Sequence, residues 1–194
     1  MVTVLGVDPG LTRCGVGVVR GPSSRMQMVA HDCVRTSADT SIELRLLALH
    51  DRLMELIEAH RPDVLAFERV LFQTNVRTAM ATGQAAGVAM LAGARAGIPV
   101  VPYSPNEVKL TVTGDGAADK DGVARMVVAQ LRLAEAPRPV DVTDALAVAI
   151  THLARARTAA AAATHRSAVA TSGGATSWEA VIAANPNLRE AGGA

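Results

Sequence analysis

The feature that most constrains this chain is a carboxylate at the end of an apolar run in its first ten residues. Residues 2–7 are mostly β-branched and aliphatic, which is typical of a strand buried on both faces, and Asp8 follows directly. Pro9-Gly10 then ends the strand. An ionised carboxylate beside a buried strand is costly unless it is paired. The rest of the chain must therefore give Asp8 either a basic partner or other carboxylates around a metal ion.

The composition indicates one ordinary globular domain. The chain has 194 residues, which is enough for a real core, and 49% of them are hydrophobic but only 2% aromatic. The core is therefore expected to consist of Ala, Val, Leu, Ile and Met. Because the formal net charge is only +1, any surface for nucleic acid must be a local basic patch.

Several features favour a cytoplasmic protein. Cys14 and Cys33 lack CxxC spacing and are expected to be small buried hydrophobes, in keeping with a reducing compartment. The N-terminus begins as a strand, not as a basic segment followed by an apolar signal core. The apolar stretch 79–101 is interrupted by Gln84, Arg95 and Pro99, so it is interpreted as a buried helix running into a strand and not as a membrane span.

Three strands joined by tight turns are predicted first. After the strand over 2–7, further strands are predicted over 14–20 and 26–34, with turns at 11–13 and 21–24. Short strands joined in this way form an antiparallel meander.

The spacing of apolar residues then changes, and it predicts helices that alternate with short strands. Apolar residues recur every three or four positions over 41–60, which predicts a helix. A short apolar strand over 63–67 ends on a second carboxylate, Glu68. A helix over 74–96 and a strand beginning at 100–101 follow, and these later strands should run parallel to the first.

The C-terminal half is predicted to be helical. Ser104-Pro105-Asn106-Glu107 has the pattern of a capping box, and helices are expected over 119–133 and 145–156. The fold class is therefore α/β, with a five-stranded mixed sheet flanked by helices. Residues 1–157 form this domain, whereas 158–194 are rich in Ala, Thr, Ser and Gly and are expected to be a mostly disordered tail.

Four acids are candidates for chemistry. Asp8 and Glu68 each end a strand, and Asp141 and Asp144 lie three apart where a helix begins, so both can face the same way. Converging carboxylates repel, and divalent cations relieve that repulsion. Oxygen ligands alone favour Mg²⁺ or Mn²⁺. Two such ions would activate a water for in-line phosphoryl displacement, so no Ser, Cys or His nucleophile is required.

Each acid also has a purely structural interpretation. Asp8 fits a turn, and Glu68 could pair with a neighbouring arginine. Asp141 could cap the last helix, with Asp144 favoured by the helix dipole. For each acid alone, the structural interpretation is at least as good as the catalytic one. It is much less plausible that all four acids have only structural roles.

Four motifs, in this order, resemble the RuvC family of bacterial Holliday junction resolvases over residues 2–155. The motifs are LGVDPG (5–10), FERV (67–70), GQAAGV (83–88) and DVTDALAVAITH (141–152). The resemblance implies a ribonuclease H-like nuclease domain, a homodimer, and Mg²⁺-dependent paired nicks across four-way DNA junctions in recombination and repair. It also implies a branch-migration complex as a partner. The metal-binding catalytic acids it implies are Asp8, Glu68, Asp141 and Asp144.

The resemblance extends to basic and polar residues. Lys109 and Lys120 match family residues near the scissile phosphate, where a cation offsets developing charge. DNA contacts are expected just after Glu68, although a polar helix start is an equal alternative. These expected contacts are Arg69, Gln73, Asn75 and Arg77.

One position departs from the family pattern. Relatives carry an aromatic residue three positions after the strand-end Glu, whereas this chain has Leu71 there and Phe72 next. Base stacking contributes about 1–3 kcal/mol, so Phe72 could take that role, or Leu71 could act as an apolar wedge. Phe72 could equally belong to the core.

Two questions stay open. Gly83 and Gly87 could let their helix lie close to its own sheet or bring two protomers together. The alternatives to a nuclease are a phosphotransferase of the actin-like and sugar-kinase type and a catalytically silent junction-binding module. The phosphotransferase needs a second domain and further phosphate loops, and this sequence has no second glycine-rich phosphate loop. The binding module gains nothing from acids placed beside phosphates.

Overall fold

The computed structural model describes residues 1–69 and 76–163. Within them five strands and five helices follow one another in the predicted order. They are β1 (Thr3–Asp8), β2 (Arg13–Arg20), β3 (Gln27–Arg35), α1 (Ile42–His60), β4 (Val64–Glu68), α2 (Val76–Arg95), β5 (Val100–Tyr103), α3 (Pro105–Thr113), α4 (Lys120–Leu131) and α5 (Val140–Ala163).

The strands form one mixed sheet in the order β3-β2-β1-β4-β5. Strands β1, β2 and β3 pair antiparallel, whereas β4 runs parallel to β1 and β5 parallel to β4. The predicted meander and the predicted parallel strands are both confirmed. The central position of β1 explains why its run is aliphatic throughout, since Val4, Leu5 and Val7 have no exposed surface.

Helices cover both faces of the sheet. Alternate side chains of β1 point to opposite faces, so Val4 packs in the core beneath α3, α4 and α5 and Leu5 packs in the core beneath α1 and α2. The apolar face predicted for the first helix is confirmed from Leu49 onward, where Leu49 and Leu53 are buried, whereas Ile42 at the helix start is exposed. None of the helices in the described residues is both long and apolar enough to span a bilayer.

Three glycines let α5 lie directly against the sheet. A Cβ at Gly15 would lie 1.8 Å from the backbone carbonyl oxygen of Asp141, and one at Gly6 would lie 2.1 Å from that of Ala145. A Cβ at Gly17, the ladder partner of Gly6, would meet the side chain of Leu146. Only residues without a side chain permit this approach, which brings the first turns of α5 to the end of β1.

The start of the last helix was predicted wrongly. The helix begins at Val140 and not at 145, so Asp141 and Asp144 lie within it. Contacts with the preceding loop fix this start. The Val142 N–H donates to the carbonyl of Pro139, and the Thr143 hydroxyl donates to that of Pro137.

Three other helix boundaries, both ends of α4 and the end of α5, also differ from prediction. The fourth helix begins at Lys120 because Asp119 is its N-cap, with a side chain that accepts a hydrogen bond from the Gly122 N–H. It ends at Leu131, where Arg132 turns left-handed with φ 55°. The backbone of α5 runs to Ala163, past the predicted domain end at 157, and residues 164–194 of the predicted tail lie outside the described residues.

The glycines of α2 differ in what they pack against. A Cβ at Gly83 or Gly87 would meet no atom of the described residues within 4 Å, so the alternative that these glycines pack on their own sheet is wrong. Gly93 makes that contact instead, because a Cβ there would lie 2.4 Å from the Val100 side chain. The face of α2 that carries Gly83 and Gly87 is therefore open to solvent in the single chain.

Candidate active site

The ends of two adjacent parallel strands place the first two acids together. The ladder between β1 and β4 ends with the pair Val7 and Phe67, and Asp8 and Glu68 are the next residue of each strand. Gly6, two residues before Asp8, faces α5. Because side chains alternate along a strand, Asp8 faces the same side. The expectation that strand ends gather these carboxylates is confirmed.

Helix α5 brings the other two acids, each against a cation. Asp144 accepts a hydrogen bond from the Lys120 ammonium, with Nζ and Oδ2 3.2 Å apart. Asp141 forms an ion pair with Arg13, whose Nε lies 3.4 Å from Oδ2. Lys120 is the first residue of α4 and Arg13 is the first residue of β2, so the starts of two separate elements meet the first turns of α5.

The pKa of Asp8 shows that the four acids share one electrostatic environment. Burial is the largest cause, and together with nearby negative charges it raises this pKa from 3.8 to about 8. The negative charges of Glu68, Asp144 and Asp141 contribute to this rise, in decreasing order, and among the described residues Lys120 is the charge that lowers the pKa. Carboxylates from β4 and α5 are therefore close enough to repel the Asp8 carboxylate on β1.

A small cavity lies between acids and lysines. It has a volume of about 130 Å³, and the charged residues that line it are Glu68, Lys109, Lys120 and Asp144. Burial raises the pKa of Glu68, and so does the charge of Asp144, whereas Lys120 and Lys109 lower it. The two predicted lysines thus lie at the acids, as the sequence suggested, on α3 and α4.

The donor set fits a hard divalent cation. It consists of carboxylate oxygens, which Mg²⁺ and Mn²⁺ prefer. Asp141 Oδ2 is buried and has no hydrogen-bond partner, because the contact with Arg13 lacks hydrogen-bond geometry. Among residues 1–69 and 76–163, however, no three Asp, Glu, His or Cys side chains already form a metal-binding group. Lys120 and Arg13 provide the positive charge beside two of the acids instead.

The predicted DNA contacts are only partly described. Arg69 follows β4 and Arg77 lies in the first turn of α2, and both are exposed. The Arg69 backbone N–H donates to the Tyr103 carbonyl at 2.7 Å, which fixes the chain as it leaves the sheet. The remaining four residues, Leu71, Phe72, Gln73 and Asn75, lie outside the described residues.

Sequence reasoning missed Arg13 and the glycines beneath α5. Gly15 and Gly17 alternate along β2, and that period was a usable signal for a helix packed closely on one face. Nothing comparable marked Arg13, because its contact with Asp141 depends on how α5 docks.

Comparison with known proteins identifies one family. The model of the family described as "Crossover junction endodeoxyribonuclease RuvC" matches residues 4–152. The chain belongs to the RuvC family. Membership makes it a crossover junction endodeoxyribonuclease and decides against the phosphotransferase alternative. RuvC nucleases are metal-dependent, in agreement with the donor chemistry of this site.

Individual RuvC proteins resemble the chain over most of their length. The RuvC of Salinispora arenicola is 57% identical over 164 residues, which are 82% of this chain and 94% of that protein. The RuvC of Rhodococcus opacus is 57% identical over 154 residues, 79% of this chain and 82% of the relative. The structure of "T. thermophilus RuvC in complex with Holliday junction substrate" matches with a TM-score of 0.79 and 37% identity, covering 82% of this chain and 97% of that one. The ribonuclease H-like fold is thereby confirmed.

Proposed function

We propose that this protein resolves four-way DNA junctions by paired symmetric nicks, in homologous recombination and DNA repair. The observation that carries the proposal is the gathering of Asp8, Glu68, Asp141 and Asp144 beside two lysines at one end of the sheet. The Thermus relative that matches over nearly its whole length binds a Holliday junction, which supports the same substrate here.

The four acids are proposed to hold two Mg²⁺ ions, for which Mn²⁺ can substitute. When bound, such ions activate water and stabilise negative charge on the phosphate. The carboxylates are buried and repel one another, so the folded chain gains free energy when cations neutralise them. The absence of sulfur and imidazole from this donor set favours hard ions over zinc.

The lysines are proposed to meet the scissile phosphate. Lys109 and Lys120 line the same cavity as Glu68 and Asp144, so a phosphate entering it would meet two ammonium groups. Positive charge fixed there stabilises the charge that builds on phosphate oxygens during cleavage. A catalytically silent binder has no use for acids that repel DNA beside these lysines, which supports the nuclease over that alternative.

DNA contacts are proposed for the segment that follows β4. Arg69 and Arg77 are exposed at its two ends and would neutralise backbone phosphates. Between them, Gln73 and Asn75 are proposed to contact the DNA, and Leu71 or Phe72 to insert at the junction centre.

A homodimer is proposed to form through the outward face of α2. Large apolar side chains are exposed along it, and Gly83 and Gly87 leave room for another backbone. The exposed apolar residues are Val76, Met80, Met90 and Leu91. A second copy is the occupant we propose, because two active sites related by a two-fold axis match the two strands that must be cut in a four-way junction.

Light scattering tests the dimer. Met80→Asp is expected to convert dimers to monomers, because a charge would be buried at the centre of the contact. Leu44→Asp is the matched control, since Leu44 is 54% exposed on α1 and Met80 is 61% exposed. Dimers that survive Met80→Asp would remove this surface from consideration.

A cleavage experiment tests the function. The full-length protein is incubated with a synthetic four-way junction, or with a linear duplex of the same arms, in Mg²⁺, Mn²⁺ or EDTA. Paired symmetric nicks are expected only in the junction and only with metal. Asp144→Asn should abolish cleavage while leaving junction binding intact, because the basic residues remain. An uncut junction with folded wild-type protein in Mg²⁺, or equal cutting of the duplex, would refute the proposal.

A further inference from the structure

Five side chains behind the acids connect the start of α3 to the middle of α5. They lie in two short segments, at the junction of β5 with α3 and two turns after Asp144 on α5. We call them the α3–α5 link: Tyr103, Ser104, Glu107, His152 and Arg155.

Glu107 forms the first connection of the link. One carboxylate oxygen, Oε2, accepts hydrogen bonds from the Ser104 backbone N–H and hydroxyl, each at 2.9 Å. The Ser104 hydroxyl oxygen in turn accepts from the Glu107 N–H at 3.3 Å, which completes the predicted capping box. The other oxygen, Oε1, accepts from the Arg155 guanidinium. These contacts lower the pKa of Glu107 to about 2, so the connection stays charged at any working pH.

Tyr103 forms the second connection. Its hydroxyl is hydrogen-bonded to His152 Nδ1 at 2.9 Å, and the two rings meet edge to face with centroids 6.0 Å apart. The Arg155 guanidinium lies 5.8 Å from the centre of the Tyr103 ring. Because His152 and Arg155 are three apart on a helix, both face α3 from the same side of α5.

The link joins α3 to α5 and lies beside the end of β4, and all three elements contribute residues that line the active-site cavity. Lys109 lies two residues after Glu107 on α3, and Asp144 lies on α5, the helix that carries His152 and Arg155. Tyr103 is the ladder partner of Glu68 at the end of the parallel strands. The link therefore joins the elements that carry Lys109 and both acids.

The ion pair in the link contributes little as a general stabiliser. The Arg155 and Glu107 side chains are 46% and 38% exposed, and exposed pairs of this kind add little to folding free energy. The helices are already held by apolar burial, at Val108 and Val112 on α3 and along α5. The ion pair instead fixes the orientation of α3 relative to α5, because it holds the first turn of α3 against α5.

We propose that the α3–α5 link sets the separation between Lys109 and the acids Glu68 and Asp144, so that Glu107 and Arg155 are positioning residues for phosphodiester cleavage. The inference rests on the proposed function. Reacting groups must be held within a fraction of an ångström, so a loosened link slows cleavage and leaves junction binding unchanged.

Three variants test the link. Arg155→Ala removes the connection, and Arg155→Lys keeps a cation within reach of Glu107. Arg52→Ala is the matched control, because Arg52 pairs with Asp32 and Glu55 and is 43% exposed on the helix layer across the sheet. The measurements are the single-turnover nicking rate at saturating protein, the junction Kd in EDTA, and the melting temperature.

The link predicts a split between rate and binding. Arg155→Ala should nick about 5- to 20-fold more slowly, with an unchanged Kd and a melting temperature like that of Arg52→Ala. Arg155→Lys should recover most of the rate, and Arg52→Ala should nick like wild type. A wild-type rate for Arg155→Ala, or a rate loss matched by losses in Kd or melting temperature, would overturn the inference.

A readout without cleavage separates this inference from the proposed function. Hydrogen exchange of the backbone amides in α3 should be faster in Arg155→Ala than in Arg52→Ala, because only the former frees the start of α3. Tyr103→Phe, which keeps the ring and removes the hydroxyl, should act in the same direction. Unchanged exchange in both variants overturns the link even when wild type cleaves. If α3 exchanges faster in Arg155→Ala but the wild-type protein never nicks a junction, the proposed function is overturned and the link is not.

Discussion

One methyl group at Gly15 is expected to disable the site without changing a carboxylate. A Cβ there would lie 1.8 Å from the carbonyl oxygen of Asp141 and 2.3 Å from its carbonyl carbon. Both are backbone atoms, so no side chain can rotate away and the start of α5 must move by about 1.2 Å to reach a 3.0 Å contact. Overpacking of this kind costs about 1–3 kcal/mol of unfolding free energy. A displacement of about 1 Å costs about 100-fold in rate.

The assay is single-turnover nicking of a four-way junction by Gly15→Ala, at a temperature where circular dichroism shows a folded variant. Gly93→Ala is the matched control, because its Cβ would lie 2.4 Å from the Val100 side chain, on the other face of the sheet. It should lose stability and keep its nicking rate. A folded Gly15→Ala that nicks within about threefold of wild type would refute the reasoning, since its expected loss is about 100-fold.

Three further measurements test the charges of the site. In metal-free protein, Asp8 contributes most to stability below pH 3.8, its unfolded-state pKa, and this contribution is lost as pH rises towards the folded-state pKa of about 8. Melting temperatures in EDTA should therefore fall over this range, and Asp8→Asn should flatten the fall. Arg13→Ala removes a cation that competes for Asp141, so calorimetry should show Mn²⁺ binding a few-fold more tightly, and weaker binding would contradict this. Lys120→Ala removes the one charge in the described part of the chain that lowers the pKa of Asp8, so the fall in metal-free stability should extend to higher pH.

The sheet and the paired acids could be predicted because they depend on local patterns and one general rule. Buried aliphatic runs mark β1 and β4, and the ends of parallel neighbours meet at one edge of a sheet. Asp8 and Glu68 therefore come together almost regardless of the rest of the chain. The capping box at Ser104 was equally local, and it is confirmed.

The remaining features could not be predicted because they depend on tertiary contacts. Residues 140–142 alternate like a strand, and only hydrogen bonds to Pro137 and Pro139 make them the first turn of α5. The pairing of Arg13 with Asp141 exists only after that helix has docked. A small-residue pattern on α2 likewise could not indicate that Gly93 faces the sheet and Gly83 faces solvent.

If the four acids act as proposed, the docking of α5 also determines when, during synthesis, the chain can first cut DNA. Asp8 and Glu68 are translated early, whereas Asp141 and Asp144 arrive on the last described helix and reach them only by packing onto the glycines of β1 and β2. A nascent copy without α5 therefore carries two of these four acids, and a copy whose α5 has not docked carries all four but has not brought them together. Under the proposed function, cleavage of DNA is in this way restricted to copies that have finished folding.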